Sequence, residues 1–443
     1  MTKKVSKNDK AWSVLFEKFN ILERVERYGR YVIKAADIGD VREARLMTKF
    51  DHEYQLPKIF RDNRLSILPI SRGEYVISRA CIFKKFEKGG GGSIKELHLP
   101  RFIDSISPSD ITSESVALNS AYAAGIINDF LEENITYPTL NGRMGTGEFE
   151  FYVKTETEHF EMIKVDRAQI EIDACFEGEM CMCIVEAKNS INDDFIVRQL
   201  YYPFRTWEKR IKKIIRPIFF TYSNGIYHLR EYEFENIDCY NSIKFVREQK
   251  YRIKLPDEEL ILNMELIEEL IRNVPEVEES LQFPFPQADK FERVINLCEI
   301  IYRNNFEYSK KQLSGNYGFT SQDSFDPRQV DYYTNAAMYL GLIVKRIIDG
   351  NIYYCLSELG LNIFSTNDYA RRQKMLIECI ISHACFRKVL LLYLSSCACP
   401  LKSEVVEIMK TCNLNKVCAN STYERRASTV ISWVAWILGT VEE

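Results

Sequence analysis

The spacing of hydrophobic positions divides the chain into mixed α/β regions and a mainly helical last third. In the first ~90 residues, large apolar side chains recur at helical spacing, and "RYVIKAADI" and "GEYVISRACIF" are typical of strands. These residues predict a small N-terminal α/β region, residues 1–92. The helical positions are Trp12, Leu15, Phe16, Phe19 and Leu22.

A run of glycines, "EKGGGGSIKE", ends this first region. Four consecutive glycines cannot hold regular structure cheaply, so the run predicts a loop or linker. A close approach of the backbone to a ligand is the alternative.

Residues 93–254 have the pattern of a second α/β domain. "SESVALNSAYAAGIINDFLEEN" predicts a helix that Ser113 can cap. "EFEFYVKTE" alternates as a strand does, and "QIEIDACFEGEMCMCIVEAKNS" predicts a hairpin. "DDFIVRQLYYPFRTWEKRIKK" predicts a helix that Pro203 kinks or interrupts. Two further strands flank Asn224-Gly225, a strong hairpin signal.

Residues 255–286 are acidic and end in "FPFPQ", which predicts a linker, and residues 287–443 are mostly helical. "DPRQVDYYTNAAMYLGLIVKRIIDGNIYYCLSELG" predicts a helix followed by a hairpin that turns at Asp349-Gly350. This order is the signature of a winged helix.

Composition narrows the class of protein. The chain has 443 residues, 46% of them hydrophobic, which predicts two or three domains with real cores. A net charge of −4 confines any nucleic-acid surface to a local patch. The polar opening "MTKKVSKNDK" and the lack of an apolar run of ~20 residues predict a cytoplasmic protein with no membrane contact.

Thirteen cysteines, an odd number scattered through hydrophobic stretches, predict reduced buried thiols. Zinc is the alternative, but Cys181-x-Cys183 and Cys397-x-Cys399 lack the usual ligand spacing.

The predicted hairpin concentrates charge on one face. Alternation places Ile170, Ile172, Ala174 and Phe176 on one side of its first arm, and Gln169, Glu171 and Asp173 on the other. In the second arm, Cys181, Cys183, Val185 and Ala187 form an apolar face opposite Glu186 and Lys188. A turn at Gly178-Glu179 would set Glu171 opposite Glu186, with Asp173 diagonal to it.

Three carboxylates this close need a proton or a cation, and Mg²⁺ prefers oxygen ligands. A lysine two residues from a ligand can orient a water or neutralise developing charge, so the patch suits phosphodiester hydrolysis. An ordinary solvent-facing hairpin is the alternative, since acidic-x-Lys triplets occur by chance. A second copy, Glu248-Gln249-Lys250, lies in a polar run and is interpreted as solvated surface.

The segment resembles the core of the PD-(D/E)xK nucleases, whose αβββαβ order matches the predicted elements. Asp173 stands at the family's Asp position, and Glu186-Ala187-Lys188 at its E-x-K. Ile172 stands where the family's name has proline. Some members carry Gln-x-x-x-Tyr on the next helix; this chain has Gln199 without that tyrosine.

More closely, "GRMGTGEFEF", "QIEIDACFE", "IVEAKN", "FIVRQLYYPFR" and "RRASTVISWVAWIL" together resemble a group of type II restriction endonucleases. The resemblance implies Mg²⁺ bound by Asp173 and Glu186, a water assisted by Lys188, and Glu171 as a further ligand or base. It also implies double-stranded DNA as substrate, a homodimer, and a cognate DNA methyltransferase as genetic partner.

The winged-helix pattern predicts DNA-contacting residues outside the catalytic patch, with the N-terminal region as a further candidate surface. In the C-terminal region they are Arg328, Gln329, Asn335, Lys345, Arg425 and Arg426. On the middle helix, Arg198 and Arg205 lie seven residues apart and could follow a DNA backbone. For the C-terminal region, the alternative is a module that contacts protein. For Arg198 and Arg205, the alternative is surface salt bridges.

Two other functions fit the same residues. One is a modification-dependent or repair DNA endonuclease, which a cleavage assay on methylated and unmethylated DNA would separate from a restriction enzyme. The other is a non-cleaving DNA-binding regulator, against which the intact carboxylate–lysine cluster argues.

Overall fold

A computed structural model shows a mixed α/β protein. It describes residues 6–87, 93–108, 111–256, 259–305, 307–314, 326, 329–396 and 398–441. Among these residues, no helix combines the length and apolar character needed to cross a bilayer. The glycine run, Arg328 and Cys397 lie outside the described residues, so the predictions made for them are not addressed.

The N-terminal region is a small α/β unit, as predicted. Its antiparallel sheet has the order β1-β3-β2. Trp12 is fully buried against Phe16 and Phe60, and Ser6 caps the first helix by accepting from the Asp9 N–H at 2.9 Å. The elements are α1 (Lys7–Lys18), α2 (Ile21–Tyr28), β1 (Arg30–Lys34), α3 (Ala35–Gly39), α4 (Ala44–Thr48), α5 (Lys58–Asp62), β2 (Ser66–Pro69) and β3 (Glu74–Ser78).

The middle of the chain forms a seven-stranded mixed sheet with the order β5-β14-β13-β12-β10-β9-β6, covered by apolar clusters on both faces. Its elements, with two smaller two-stranded sheets, are β4 (Phe83–Lys85), β5 (Ile94–Leu97), α6 (Glu114–Ala123), α7 (Ile126–Leu131), β6 (Tyr137–Gly145), β7 (Glu148–Lys154), β8 (Phe160–Asp166), β9 (Gln169–Glu177), β10 (Cys181–Lys188), β11 (Asp194–Ile196), α8 (Arg198–Trp207), β12 (Ile214–Ser223), β13 (Ile226–Phe234) and β14 (Ile243–Ile253).

In this sheet β9 lies between β6 and β10 and runs antiparallel to both. Strand β12 lies beside β10 and parallel to it, and α8 stands between the two in sequence. A parallel pair needs such a crossover, which explains why a helix separates the hairpin from the next strand.

Two details differ from the sequence prediction. The strand predicted at "EFEFYVKTE" is present as β7, but it pairs with β8 in a separate sheet, and β6 takes the place beside β9. The helix predicted from Ser113 is two helices, because Gly125 adopts φ = +79° between them. Local alternation identifies a strand but not its partner.

The C-terminal region is mainly helical with a three-stranded antiparallel sheet, β15-β17-β16. The predicted turn at Asp349-Gly350 is confirmed, with positive φ at both residues. The elements are α9 (Met264–Asn273), α10 (Phe291–Arg303), β15 (Glu307–Ser309), α11 (Lys310–Leu313), α12 (Val330–Tyr339), β16 (Ile343–Ile348), β17 (Asn351–Leu356), α13 (Glu358–Phe364), α14 (Tyr369–Ile381), α15 (Ala384–Ser396), α16 (Lys402–Lys410) and α17 (Asn420–Gly439).

Helix α9 lies inside the stretch predicted as a linker and buries Ile267 and Leu270 in the C-terminal core. The same core contains Trp433 with no exposed surface, and its indole N–H donates to the Ala288 carbonyl at 2.7 Å. The cysteines in the described ranges are free thiols, and Cys181 and Cys183 are buried, as predicted. Cys399 and Cys418 are exposed, so the prediction of buried thiols is wrong for these two.

The contact between α13 and the strand hairpin generates a stability prediction. A Cβ atom added at Gly360 would lie 2.0 Å from the Leu342 carbonyl oxygen, a backbone atom that cannot move aside. We expect Gly360→Ala to destabilise the protein by about 2–3 kcal/mol, as overpacking commonly does. Gly439→Ala is the control, because nothing lies within 4 Å of its added Cβ. Denaturant unfolding of the two variants checks this; equal stability would contradict the close packing of α13.

Candidate active site on strand β10

The register of the β9–β10 hairpin differs from the predicted one. Glu177 pairs with Met182, and Ala174 pairs with Val185. Extending the ladder by one pair sets Asp173, and not Glu171, opposite Glu186. The predicted two-residue turn at Gly178-Glu179 is therefore wrong, because the observed connection is longer.

A distant carboxylate accounts for the longer turn. Glu133 accepts hydrogen bonds from the backbone N–H groups of Glu179, Met180 and Cys181 at 3.2, 2.9 and 3.2 Å. These bonds lower the pKa of Glu133, and the bond from the Met180 N–H has the largest effect. A turn fixed by a residue 46 positions upstream cannot be deduced from turn propensities.

A bulge in β9 turns its side chains. Against β6, Gly142 pairs with Ile172 and Leu140 pairs with Cys175, so β9 has one residue more than β6 between these pairs. Ile172 consequently belongs to the apolar cluster on one sheet face, while Ala174 and Phe176 belong to the cluster on the other. The prediction that Ile170, Ile172, Ala174 and Phe176 share a face is wrong for this reason. Bulges commonly re-aim a side chain beside a functional site, and this one includes Asp173.

The structure brings Asp173, Glu186 and Lys188 together at the end of the hairpin. Glu186 and Lys188 are 6% and 4% exposed and form an ion pair. The Asp173 carboxylate accepts a hydrogen bond from the N–H of Ala187, the residue between Glu186 and Lys188, at 2.8 Å. The side-chain amide of Gln199, at the start of α8, also donates to Glu186.

Glu171 does not join this cluster. Its side chain is 55% exposed and pairs with Arg143 of β6 at 3.3 Å. The sequence prediction placed it opposite Glu186 through the wrong register, so the structure does not support a role for it as ligand or base.

The burial of these charges sets their protonation. Burial raises the pKa of Glu186 to about 8; the Lys188 ammonium opposes this shift and the Asp173 carboxylate adds to it. Burial acts to lower the pKa of Lys188, but Glu186 and its acidic neighbours outweigh it, so that pKa is raised. The site therefore holds a charged lysine and more carboxylate than the lysine alone neutralises.

Asp51, from the N-terminal region, is a member of this site that the sequence analysis missed. It is 6% exposed, and its carboxylate accepts from the Gln199 amide at 3.4 Å. Burial acts to raise its pKa, but the ammonium groups of Lys188 and Lys49 outweigh burial and lower it. Asp51 lies 122 residues before Asp173 in a loop with no motif, so no sequence signal identifies it.

The residue next to Asp51 helps to hold this loop against strand β11. The His52 ring nitrogen Nδ1 lies 2.7 Å from the Asp194 carbonyl oxygen, and Asp194 also accepts from the Glu53 N–H at 3.0 Å. The Ile196 N–H donates to the Asp51 carbonyl at 3.0 Å. These bonds hold the Asp51 carboxylate beside Gln199.

The second acidic-x-Lys triplet lies on the same sheet. Strand registers connect Lys188 to Thr221, Thr221 to His228 and His228 to Lys250, so the two lysines occupy one row across the strands. Lys250 is half-buried, and the interpretation of this triplet as solvated surface is wrong.

The two triplets differ in their electrostatic surroundings. Glu248 lies 2.9 Å from the His228 ring nitrogen Nε2 and 3.4 Å from the Arg230 guanidinium. The hydrogen bond with His228 and the charge of Arg230 lower the pKa of Glu248, whereas that of Glu186 is raised. The rise at Glu186 comes first from burial; Lys188 opposes it, and the carboxylates of Asp173 and Asp51 add to it.

Among the residues that the structure describes, no group of three or more His, Cys, Asp or Glu side chains is arranged to hold a metal ion. Asp173 and Glu186 are two carboxylates on neighbouring strands, fewer than such a group needs. Magnesium commonly binds through one or two carboxylates and keeps waters or substrate phosphates as its other ligands. The pair fits that mode, and it does not fit an all-protein cage.

The two arginines predicted on α8 have different surroundings. Arg198 is half-buried, 5.9 Å from the Tyr202 ring, and its charge helps lower the pKa of Asp51. Arg205 is 4% exposed and donates to the Glu150 and Ile237 carbonyls at 3.1 and 2.7 Å. Arg205 therefore connects segments inside the protein. The prediction that it contacts DNA is wrong, because its guanidinium is buried and donates to backbone carbonyls.

The C-terminal candidates lie at the protein surface to different degrees. Lys345 on β16 and Arg425 on α17 are exposed, and Asn335 and Arg426 are half-buried. Gln329, which precedes α12, accepts from the Arg293 guanidinium at 2.5 Å. Arg328 falls outside the described residues. Helix α12 packs inward through Val330, Tyr333 and Ala337, and Leu340 at its C-terminal end is also buried.

Comparison with known proteins gives three matches, each to a family model described as a domain of unknown function. They are DUF6996 at residues 9–77, DUF6997 at residues 78–252 and DUF7226 at residues 293–442. No curated protein and no solved structure matches the chain. Asp51 thus lies in the first matched segment, and Asp173, Glu186 and Lys188 lie in the second.

Proposed function

We propose that this protein is a Mg²⁺-dependent endonuclease that cuts double-stranded DNA, of the type II restriction kind. The observation that carries the proposal is the buried cluster of Asp173, Glu186 and Lys188 at the end of β10. A buried lysine among more than one carboxylate is costly to maintain. Its presence is therefore better explained by chemistry than by stability.

The strand order around the cluster supports the proposal. The antiparallel strands β6, β9 and β10, followed by α8 and the parallel strand β12, match the order of the PD-(D/E)xK core, with α6 and α7 before it. Asp173 and Glu186-Ala187-Lys188 lie on the strands that carry the motif in that superfamily. The proline of the motif is replaced by Ile172.

Asp173 and Glu186 are the residues that would hold the magnesium ion. A bound magnesium ion polarises a phosphate and lowers the pKa of a water that it binds. The protein's own groups supply position and charge. Lys188 keeps its proton, because the neighbouring carboxylates raise its pKa, so it can stabilise negative charge on a phosphate. Gln199 orients Glu186 through its amide.

Asp51 acts through Gln199 in this proposal. It accepts from the same amide group that donates to Glu186, so it fixes the orientation of that amide. Its carboxylate also faces the charge of Lys188, as the lowered pKa of Asp51 indicates. Asp51 is therefore a positioning residue that the N-terminal region contributes to a site on the central sheet.

The C-terminal region has the element order of a winged helix, which supports DNA recognition. Helix α10, strand β15, helices α11 and α12, and the β16–β17 hairpin follow one another in that order. Helix α12 would take the place of the recognition helix, with Asn335 on its partly exposed side, and Lys345 lies on the wing. A homodimer that cuts both strands, and a cognate methyltransferase, complete the proposal.

The cleavage prediction compares the two acidic-x-Lys triplets. With Mg²⁺, the wild type should cut duplex plasmid DNA into fragments with defined ends. Lys188→Ala should bind DNA but cut about 10²–10³ times more slowly, the loss typical of one preorganised charge. Lys250→Ala should cut normally, although it lies in the same row of the sheet. Gel assays and sequencing of the fragment ends measure this.

Two outcomes would contradict the proposal. Equal cleavage by Lys188→Ala and Lys250→Ala would mean that the β10 cluster is not catalytic. Undiminished cleavage in excess chelator would mean that the reaction does not use a divalent cation.

The prediction for Asp51 separates positioning from substrate binding. We expect Asp51→Asn to lower kcat about 10- to 100-fold, as loss of a residue that orients a ligand typically does, with little change in KM. Asp62→Asn is the matched control, because Asp62 is an exposed aspartate of the same region that pairs with Lys58. A normal kcat for Asp51→Asn in single-turnover kinetics would exclude this role.

The prediction for the C-terminal region concerns binding and not cleavage chemistry. Lys345→Ala and Arg425→Ala should each weaken binding to duplex DNA and reduce the slope of log K against log salt by about one, if each contacts a phosphate. Lys402→Ala, an exposed lysine on α16, is the control. Salt titrations by fluorescence anisotropy measure the slope; unchanged slopes for both variants would place DNA elsewhere on the protein.

A further inference from the structure

A cavity of about 240 Å³ lies between the central sheet and the C-terminal helices. Tyr222 and Tyr227, which line it, belong to the apolar cluster that also contains Val185 and Ala187. The cavity is therefore on the sheet face opposite Glu186 and Lys188. No role in the proposed cleavage reaction has been assigned to it.

Aromatic rings form much of the cavity wall. Tyr222 and Tyr227 come from the turn between β12 and β13, Tyr302 from α10 and Tyr369 from α14. The ring centroids of Tyr222 and Tyr227 are 4.8 Å apart, and both side chains are buried. Aromatic side chains fixed in this way provide faces on which a nucleobase can stack, whatever its identity.

The wall carries three arginines and one glutamate. They are Arg252, Arg303, Arg372 and Glu299. Arg252 also pairs with Glu96, which does not line the cavity, and its guanidinium lies 5.0 Å from the centre of the Tyr369 ring. Glu299 accepts from the Ser223 hydroxyl and the Asn224 N–H at 2.6 and 2.8 Å, and it lies 3.9 Å from the Arg372 guanidinium.

Arg372 is held in place by a backbone atom. Its Nη2 and Nε groups donate to the Thr366 carbonyl oxygen at 2.8 and 3.3 Å, which aligns the guanidinium beside the cavity. This carbonyl takes the Nε/Nη2 edge of the guanidinium. Nη1, which lies 3.9 Å from Glu299, is the group that remains to donate to a phosphate oxygen.

We propose that this cavity binds a single nucleotide, with the base among the tyrosines and the phosphate at Arg372. The cavity is smaller than the ~300–1,000 Å³ of sites for drug-sized ligands, so one base with its phosphate is the largest nucleic-acid unit that suits it. Rings that stack a base and a guanidinium that binds a phosphate are the two halves of nucleotide recognition.

The nucleotide has two chemically equivalent sources. A free nucleoside monophosphate could enter from solvent, since Asn367 and Thr112 at the rim are exposed. A nucleotide of duplex DNA could instead be turned out of its stack. The second source rests on the proposed function, and the first does not.

Arg303 connects the cavity to the catalytic strand, because it donates to the carbonyl of Asn189, the residue after Lys188, at 3.2 Å.

The first experiment titrates the full-length protein with the four deoxynucleoside 5′-monophosphates by calorimetry, without divalent cation. We expect saturable binding that Arg372→Gln weakens about 10- to 100-fold, the effect of losing one charge-assisted hydrogen bond. Arg371→Gln is the matched control, because Arg371 is the exposed neighbour on the same helix and does not line the cavity. Circular dichroism checks that both variants are folded.

The second experiment uses duplex DNA in which 2-aminopurine replaces adenine at successive positions. A rise in fluorescence on binding, lost in Arg372→Gln and kept in Arg371→Gln, would identify DNA as the source of the nucleotide. Lys188→Ala should show the same rise, because the cavity lies on the other sheet face. Neither experiment requires cleavage, so both still test the cavity if the protein does not cut DNA.

The proposal is overturned if neither monophosphates nor duplex DNA give a signal that depends on Arg372. It is also overturned if inorganic phosphate binds as tightly as the monophosphates, because the tyrosine walls would then contribute nothing. Tyr369→Leu is a second variant for the same titration, and unchanged affinity in it would remove the stacking role of that ring.

Discussion

The burial of Lys188 beside Glu186 is the constraint on which the rest of the site depends. Two charges removed from water are costly unless further polar groups satisfy them. Three separate parts of the chain do so here. Strand β9 contributes Asp173, helix α8 contributes Gln199, and the N-terminal region contributes Asp51. The cluster therefore requires the N-terminal region to be docked on the central sheet.

The C-terminal region is tied to the same place by the loop that follows Lys188. Asn296, fully buried on α10, donates to the Asn189 carbonyl at 3.1 Å and accepts from the Ile191 N–H at 3.2 Å. Arg293, one turn earlier, donates to the Ile191 carbonyl and also to Gln329 before α12. Helix α10 thus connects the loop after Lys188 with the start of α12.

The two acidic-x-Lys triplets illustrate how little a short motif determines. Both lie on the same sheet face, in strands three steps apart, with their lysines in one row. Glu248 is paired with His228 and Arg230, so its charge is neutralised. Glu186 is buried and has the carboxylates of Asp173 and Asp51 as neighbours besides Lys188. A hard cation would bind where the carboxylates are crowded, and not where cations already surround one.

Local patterns in the sequence were sufficient to predict many of the helices, strands and turns. The turn at Asp349-Gly350, the apolar face that contains Cys181 and Cys183, and the mixed α/β character all follow from side-chain periodicity and turn chemistry, which act over a few residues. The grouping of Asp173 with Glu186 and Lys188 was also deduced from the sequence, because a hairpin connects them within sixteen residues.

Only the tertiary structure decided the register of that hairpin, the choice of β6 as its neighbour, and the entry of Asp51 into the site. Glu133 fixes the turn from 46 residues away, and β7 has the alternation of a core strand but pairs elsewhere. In the sequence, Arg205 has the spacing of a surface cation; in the structure it is buried and donates to two backbone carbonyls. By itself the sequence determined what each segment can form, because those preferences are local. The partners were settled by hydrogen bonds and burial between distant segments, which no local pattern encodes.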